Sequence, residues 1–148
     1  MARKLRALKV IGLCVVIVVS AVVLPATVGT AQPPPVKIGL LLPYTGVFAL
    51  YGPAMTTAIE LYVKQIGEQV ANRPIQLIRE DTEAKPDVGL TKVRKLVERD
   101  RVNVIIGPVS SAVALAIRDY IHAQRVPLVV PIAFTKELTA PEKASPYI

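Results

Sequence analysis

The sequence predicts an α/β fold: a parallel sheet with helices on both faces, in strand order 2-1-3-4. Three observations predict it. Four short runs, at 36–42, 75–79, 102–106 and 127–130, are rich in Val, Ile and Leu. Their near-continuous apolar character is the habit of strands buried on both faces. Between them lie longer stretches with apolar residues at spacings of three and four, as amphipathic helices have. The two kinds of segment alternate as βαβαβαβ, and right-handed crossovers leave few topologies for such a chain.

Residues 1–31 read as a secretory signal peptide. Arg3, Lys4, Arg6 and Lys9 make a basic start, residues 10–24 are almost wholly apolar, and Pro25 breaks the run. Gly29 and Ala31 supply the small residues before a cut at Gln32. An apolar core of 15 residues is shorter than the roughly 20 of a spanning helix, which favours a signal over an uncleaved anchor. Cys14 follows Leu13, where a lipoprotein signal needs a small residue, so no lipid anchor is expected. The segment holds four of the 18 basic residues and none of the 11 acidic ones, so residues 32–148 carry +3 rather than +7. The nucleic-acid reading that strong basic charge invites therefore loses its support. The only cysteine lies there too, and residues 32–148 must be held by their core without disulfides.

Residues 32–35 are a proline-rich tether and 36–42 the first strand. The loop 43–52 contains Tyr44, Thr45, Gly46, Phe48 and Tyr51, and Pro53 suits the first turn of a helix. Met55, Ile59, Tyr62, Val63 and Ile66 give that helix an apolar stripe. After a polar return at 67–74 comes the second strand, 75–79, and a charged loop, 80–86. Asp87 can cap a second helix carrying Leu90, Val93, Leu96 and Val97. The third strand, 102–106, is stopped by Gly107-Pro108, and Ser110 and Ser111 open a third helix through Val113, Ala114, Ala116, Ile117, Tyr120 and Ile121. The fourth strand, 127–130, leads into 131–135 and a polar tail.

Ligands bind such sheets beyond the carboxyl ends of the strands, where 44–51, 107–111 and 131–135 converge. The helix opened by Ser110 and Ser111 presents unpaired N–H groups, a partial positive charge and hydroxyls, which suit a carboxylate. The serines are also ordinary helix caps, and the two roles are compatible. Tyr51 is core or cleft wall, its glycine- and proline-bounded loop favouring the wall. Phe134 fits a ligand-facing wall and packing under the tail equally.

Enzyme signatures are missing. No Gly-x-Gly-x-x-Gly follows the first strand, and no phosphate loop ends in Gly-Lys-Ser/Thr. The sole histidine, His122, reads as a solvated surface side chain, and no His–Cys cluster offers metal ligands. Asp81 and Glu83 read as groups that cap, solvate or fix their loop. No catalytic residue, metal or cofactor is expected.

The segments Val-Lys-Ile-Gly-Leu-Leu-Leu-Pro-Tyr-Thr-Gly (36–46), Tyr51-Gly52, Ile-Ile-Gly-Pro-Val-Ser-Ser (105–111), Val-Pro-Leu-Val-Val-Pro (126–131) and Glu-Leu-Thr (137–139) follow a signal peptide in this order. Together they resemble the first lobe of the leucine/isoleucine/valine-binding protein family, type I periplasmic solute-binding proteins of ABC importers. The likeness spans 36–148. It implies a Rossmann-like lobe of a two-lobed clamp, at work in the periplasm, that closes on a branched-chain amino acid or related small solute and delivers it to a membrane permease.

By that resemblance Ser111, Ile132 and Phe134 occupy positions that hold the solute's charged groups, and Tyr51 borders the pocket. Ser110 and Thr135 lie beside them. The position of Phe134 is usually Ser or Thr in the family. Phenylalanine cannot make that hydrogen bond, and a buried ammonium without a partner is costly. The substitution therefore raises the case for an aromatic or aliphatic carboxylate, or an amide. The chain is expected to be a fragment, residues 32–148 being the N-terminal lobe of a longer binding domain. Alone it is expected to bind weakly or not at all. Rival readings are a sensor lobe of a signalling receptor and a small flavodoxin-like enzyme or regulatory domain.

Overall fold

The computed structural model describes residues 33–142 and 144–148; the signal peptide reading lies outside them. Its elements are β1 (Val36–Leu42), α1 (Tyr51–Gln65), β2 (Gln69–Val70), β3 (Arg73–Asp81) and α2 (Pro86–Arg94), the last extended by a π-helical turn, Lys95–Arg99. Then come β4 (Val104–Ile106), α3 (Ser111–Gln124), β5 (Leu128–Val129) and a 3₁₀ turn, Lys136–Leu138.

The sheet runs β2-β3-β1-β4-β5. Strands β3, β1, β4 and β5 are mutually parallel, with Ile38 opposite both Leu77 and Val104, and Ile105 opposite Leu128. This is the expected 2-1-3-4 order with one addition. The polar return contains the two-residue β2, antiparallel to the start of β3. Its chain reversal uses positive φ at Ala71 and Asn72, a turn that the spacing of apolar residues does not announce.

Alternation along β1 explains why the strands look apolar throughout. Leu41, with Ile105 and Leu128, faces α2 and α3 and packs with Val93, Leu96, Val113, Ile117 and Ile121. Leu40 and Leu42 face the other way, against Met55 and Ile59 of α1. Helices cover both faces, so neither set of side chains meets water. Each fully buried Leu or Ile contributes about 1.5–3 kcal/mol.

Three local expectations are corrected. Tyr62 and Ile66 are 63% and 41% exposed and are not core, because α1 meets the sheet mainly through its first half. Asp87 does not cap α2: Lys85 holds the cap position, Pro86 starts the helix, and Asp87 lies in the first turn. The tail is not merely polar. Leu138 is buried, Tyr147 and Ile148 pack against the larger core, and the Leu128 N–H donates to the Tyr147 carbonyl at 2.7 Å. His122, on the exposed end of α3, has its Nδ1 3.0 Å from the Ser145 hydroxyl and its ring edge-on to Tyr147. No helix among the described residues is long and apolar enough to cross a membrane.

Candidate functional site

The carboxyl ends of β1, β4 and β5 release three loops on one edge of the sheet. β4 ends at Ile106, and Gly107 turns the chain with φ +124°. A side chain there is excluded, since a Cβ would lie 2.1 Å from the Leu41 carbonyl oxygen. The Gly107 N–H donates to the Val129 carbonyl at 2.9 Å, tying the exits of β4 and β5 together. Ser110 then stands at the N-cap of α3 in an extended conformation (φ −77°, ψ 127°). Its hydroxyl makes no capping hydrogen bond among the described residues, and the first turn of α3 carries no acidic residue.

The first loop is built differently. Gly52 is buried, and a Cβ on it would lie 2.3 Å from the Pro43 carbonyl oxygen, so α1 starts hard against the end of β1. Tyr51 is therefore the first residue of that helix and not part of the loop. The Thr56 hydroxyl donates to the Gly52 carbonyl at 2.8 Å, and the Tyr44 hydroxyl lies 2.7 Å from Thr56 Oγ1. Thr56 has spent its only hydroxyl proton, so the phenol is the donor. Burial pushes the Tyr44 phenol up from its ordinary value.

Asp81, at the end of β3, fastens this loop. Its carboxylate accepts from the Tyr44 N–H at 2.9 Å, the Thr45 N–H at 3.3 Å, the Thr45 hydroxyl at 2.7 Å and the Glu83 N–H at 2.8 Å. Burial alone would raise the Asp81 carboxyl, but the hydrogen bonds from Thr45, Glu83 and Tyr44 outweigh it and hold the group below its usual range. Beside it, burial also pushes the Glu80 carboxyl up, and Lys95 and Lys92 reverse the sign. The loop-fixing role expected for Asp81 extends to a second loop, which only the fold brings near.

A depressed folded-state pKa stabilises the fold above the unfolded value, about 3.9 for Asp, and that contribution is lost as pH falls through the folded value. Asp81→Asn should thus lower stability at pH 7 and flatten its decline as pH falls below the unfolded value of about 3.9. Urea unfolding at a series of pH values checks this. An unchanged pH slope would show that Asp81 is not the fastening group.

Ser110, Ser111, Ile132, Phe134 and Tyr51 line one cleft of about 440 Å³, with Phe48, Val109 and Ala112. Thr135 is not among its lining residues, and its hydroxyl donates to the Glu137 carboxylate. Phe48, Val109 and Ala112 are lining residues that the sequence did not mark as candidates, and Phe48 is the aromatic one. The Phe48 and Tyr51 rings meet edge to face, centroids 6.2 Å apart at 72°. No lining residue among those described is acidic or basic. The cleft can therefore offer hydroxyls and a helix N-terminus to an anion, and apolar surface to its body.

A family profile described as periplasmic binding protein matches residues 35–148. The chain belongs to the periplasmic binding protein family. Among curated members, the Leu/Ile/Val-binding protein BraC3 of Rhizobium johnstonii is 29% identical over 106 residues, 70% of this chain and 29% of that protein. The fold is shared with a solute-binding protein of an ABC transporter from Rhodopseudomonas palustris BisB5, solved with 3,4-dihydroxybenzoic acid. That protein is 37% identical, with a TM-score of 0.71, over 78% of this chain and 31% of its own. The leucine-binding protein LivK of Thermotoga maritima is 26% identical, with a TM-score of 0.67, over 72% of this chain and 30% of its own. The chain thus spans about 30% of the length of these periplasmic binding proteins.

Proposed function

We propose that residues 32–148 form the N-terminal lobe of a non-catalytic solute-binding clamp, exported to the periplasm by residues 1–31, that serves an ABC importer. Its solute is a small carboxylate with an apolar body, held at Ser110 and Ser111 and passed to a membrane permease. The single observation carrying the solute class is the lining of the cleft: hydroxyls and a helix N-terminus on one side, the phenyl ring of Phe134 (a position that the family resemblance gives to Ser or Thr), and no charged side chain among the described residues. The printed ligand of the Rhodopseudomonas palustris relative, an aromatic acid, supports the same reading at the higher identity. A branched-chain amino acid is the second reading, favoured by the names of BraC3 and LivK.

The two are separated by 4-methylpentanoate and leucine, which differ in the ammonium group. In ligand-observed NMR titrations of the chain purified from periplasm, 4-methylpentanoate should bind in the millimolar range and leucine more weakly. The affinity is low because one lobe covers only part of a ligand that closed pockets bury almost fully. Phe134→Ser should narrow the gap, since a hydroxyl there meets an ammonium. Leucine binding as well as the acid would favour the amino-acid reading. Binding of neither would sink the carboxylate site. An N-terminus at Gln32 in the purified protein checks export, and retention of Met1 counts against it.

A further inference from the structure

We infer that Phe48, with Tyr51 and Phe134, makes an aromatic jaw that selects a flat aromatic ring on the solute, a specificity role that rests on the carboxylate reading above. The chain contains two phenylalanines, and both line this cleft. Neither belongs to the core: Phe48 and Phe134 fall outside both buried clusters, and Phe134 is 93% exposed. A side chain held against water in this way offers apolar area to whatever enters the cleft.

Phe48 is also held in place. Its carbonyl accepts the Tyr51 N–H at 3.0 Å, and the Ala49 N–H donates to the Gly46 carbonyl at 3.2 Å. The same loop is fastened at Tyr44 and Thr45 by Asp81. The edge-to-face contact with Tyr51 fixes the ring further. A pre-ordered wall loses little side-chain freedom when a ligand arrives. Benzoate and cyclohexanecarboxylate share a carboxylate and a six-carbon ring of similar size. Both collect the area term, but only the aromatic ring gains the offset and edge-to-face attraction between π systems. The other charged groups a solute could carry find no partner in this lining, so the ring is what remains for the cleft to read.

The test measures both acids by ligand-observed NMR on the full chain and on Phe48→Leu, which keeps apolar bulk and removes the ring. The expected result is a preference for benzoate of about threefold to tenfold in the native chain. In Phe48→Leu that preference should fall toward parity, with benzoate losing more affinity than cyclohexanecarboxylate. Phe134→Leu, on a different loop, serves as the second variant and should reduce the preference again. Equal binding of the two acids, or an undiminished preference in both variants, overturns the jaw and leaves the carboxylate site standing. If neither acid binds, the jaw and the carboxylate reading fall together.

Discussion

Replacing Gly107 with alanine should remove most of the stability of this domain. Two independent costs meet at that residue. At φ +124° an L side chain is strained, which costs about 1–3 kcal/mol. The added Cβ would lie 2.1 Å from the Leu41 carbonyl oxygen and 2.9 Å from its carbon, and that neighbour is strand backbone. Leu41 is fully buried in the larger core, so the strand cannot yield without disturbing Val93, Leu96 and Ile105. Overpacking of this kind adds about 1–3 kcal/mol or more. The sum approaches the roughly 5–15 kcal/mol that holds an ordinary domain. Urea unfolding followed by circular dichroism should show a midpoint lowered by at least half, or no cooperative transition at all. A midpoint like that of the native chain would mean that β4 does not leave the sheet against Leu41.

The fold was legible because its strongest signals are local. Apolar strands that alternate with helical stripes force two covered faces, and the crossover rule then orders the strands with little freedom. What could not be read is what depends on which neighbour covers a given surface. The spacing of Met55, Ile59, Tyr62, Val63 and Ile66 states a stripe, yet only the first half finds the sheet beneath it. The tail looks polar in composition, but Leu138, Tyr147 and Ile148 find the core edge and Tyr147 adds a hydrogen bond beside β5. Asp87 has the chemistry of a cap, while Pro86 fixed the helix start one residue earlier.

The cleft divides in the same way. Ser110 and Ser111 were legible, since a strand, a glycine-proline stop and a serine-opened helix lie contiguous in sequence. Tyr51 and Phe134 could be weighed as cleft walls from their loops, Ile132 came from the resemblance alone, and the fold gathers all three around those serines. Phe48 had no local signal. A phenylalanine three residues before Tyr51 reads as one more loop residue until a tight turn brings the two rings edge to face. The reach of Asp81 was equally hidden. Tyr44 and Thr45 are 37 and 36 residues away in the chain, and only parallel pairing of β1 with β3 sets Asp81 opposite Leu42.

Gly52→Ala should damage the cleft and the stability together. The alanine Cβ would lie 2.3 Å from the Pro43 carbonyl oxygen and 3.1 Å from Tyr44 Cδ1. Helical φ and ψ suit alanine well, so propensity favours the change and only the close approach opposes it. The start of α1 must then lift off the end of β1, at a cost of about 1–3 kcal/mol. The lift also strains the run of hydrogen bonds from the Tyr44 hydroxyl through Thr56 to the Gly52 carbonyl. Tyr51 precedes Gly52 directly and carries Phe48 with it through the turn, so the aromatic wall moves while Ser110 and Ser111 stay on α3. A misplacement of about 1 Å can cost a bound ligand far more than it costs the fold. In urea unfolding the variant should remain cooperative with a lower midpoint, and in NMR titration its binding of benzoate should weaken and its preference for benzoate over cyclohexanecarboxylate should shrink. Binding at native strength in a destabilised variant would show that the wall is not set by the seat of α1 on β1.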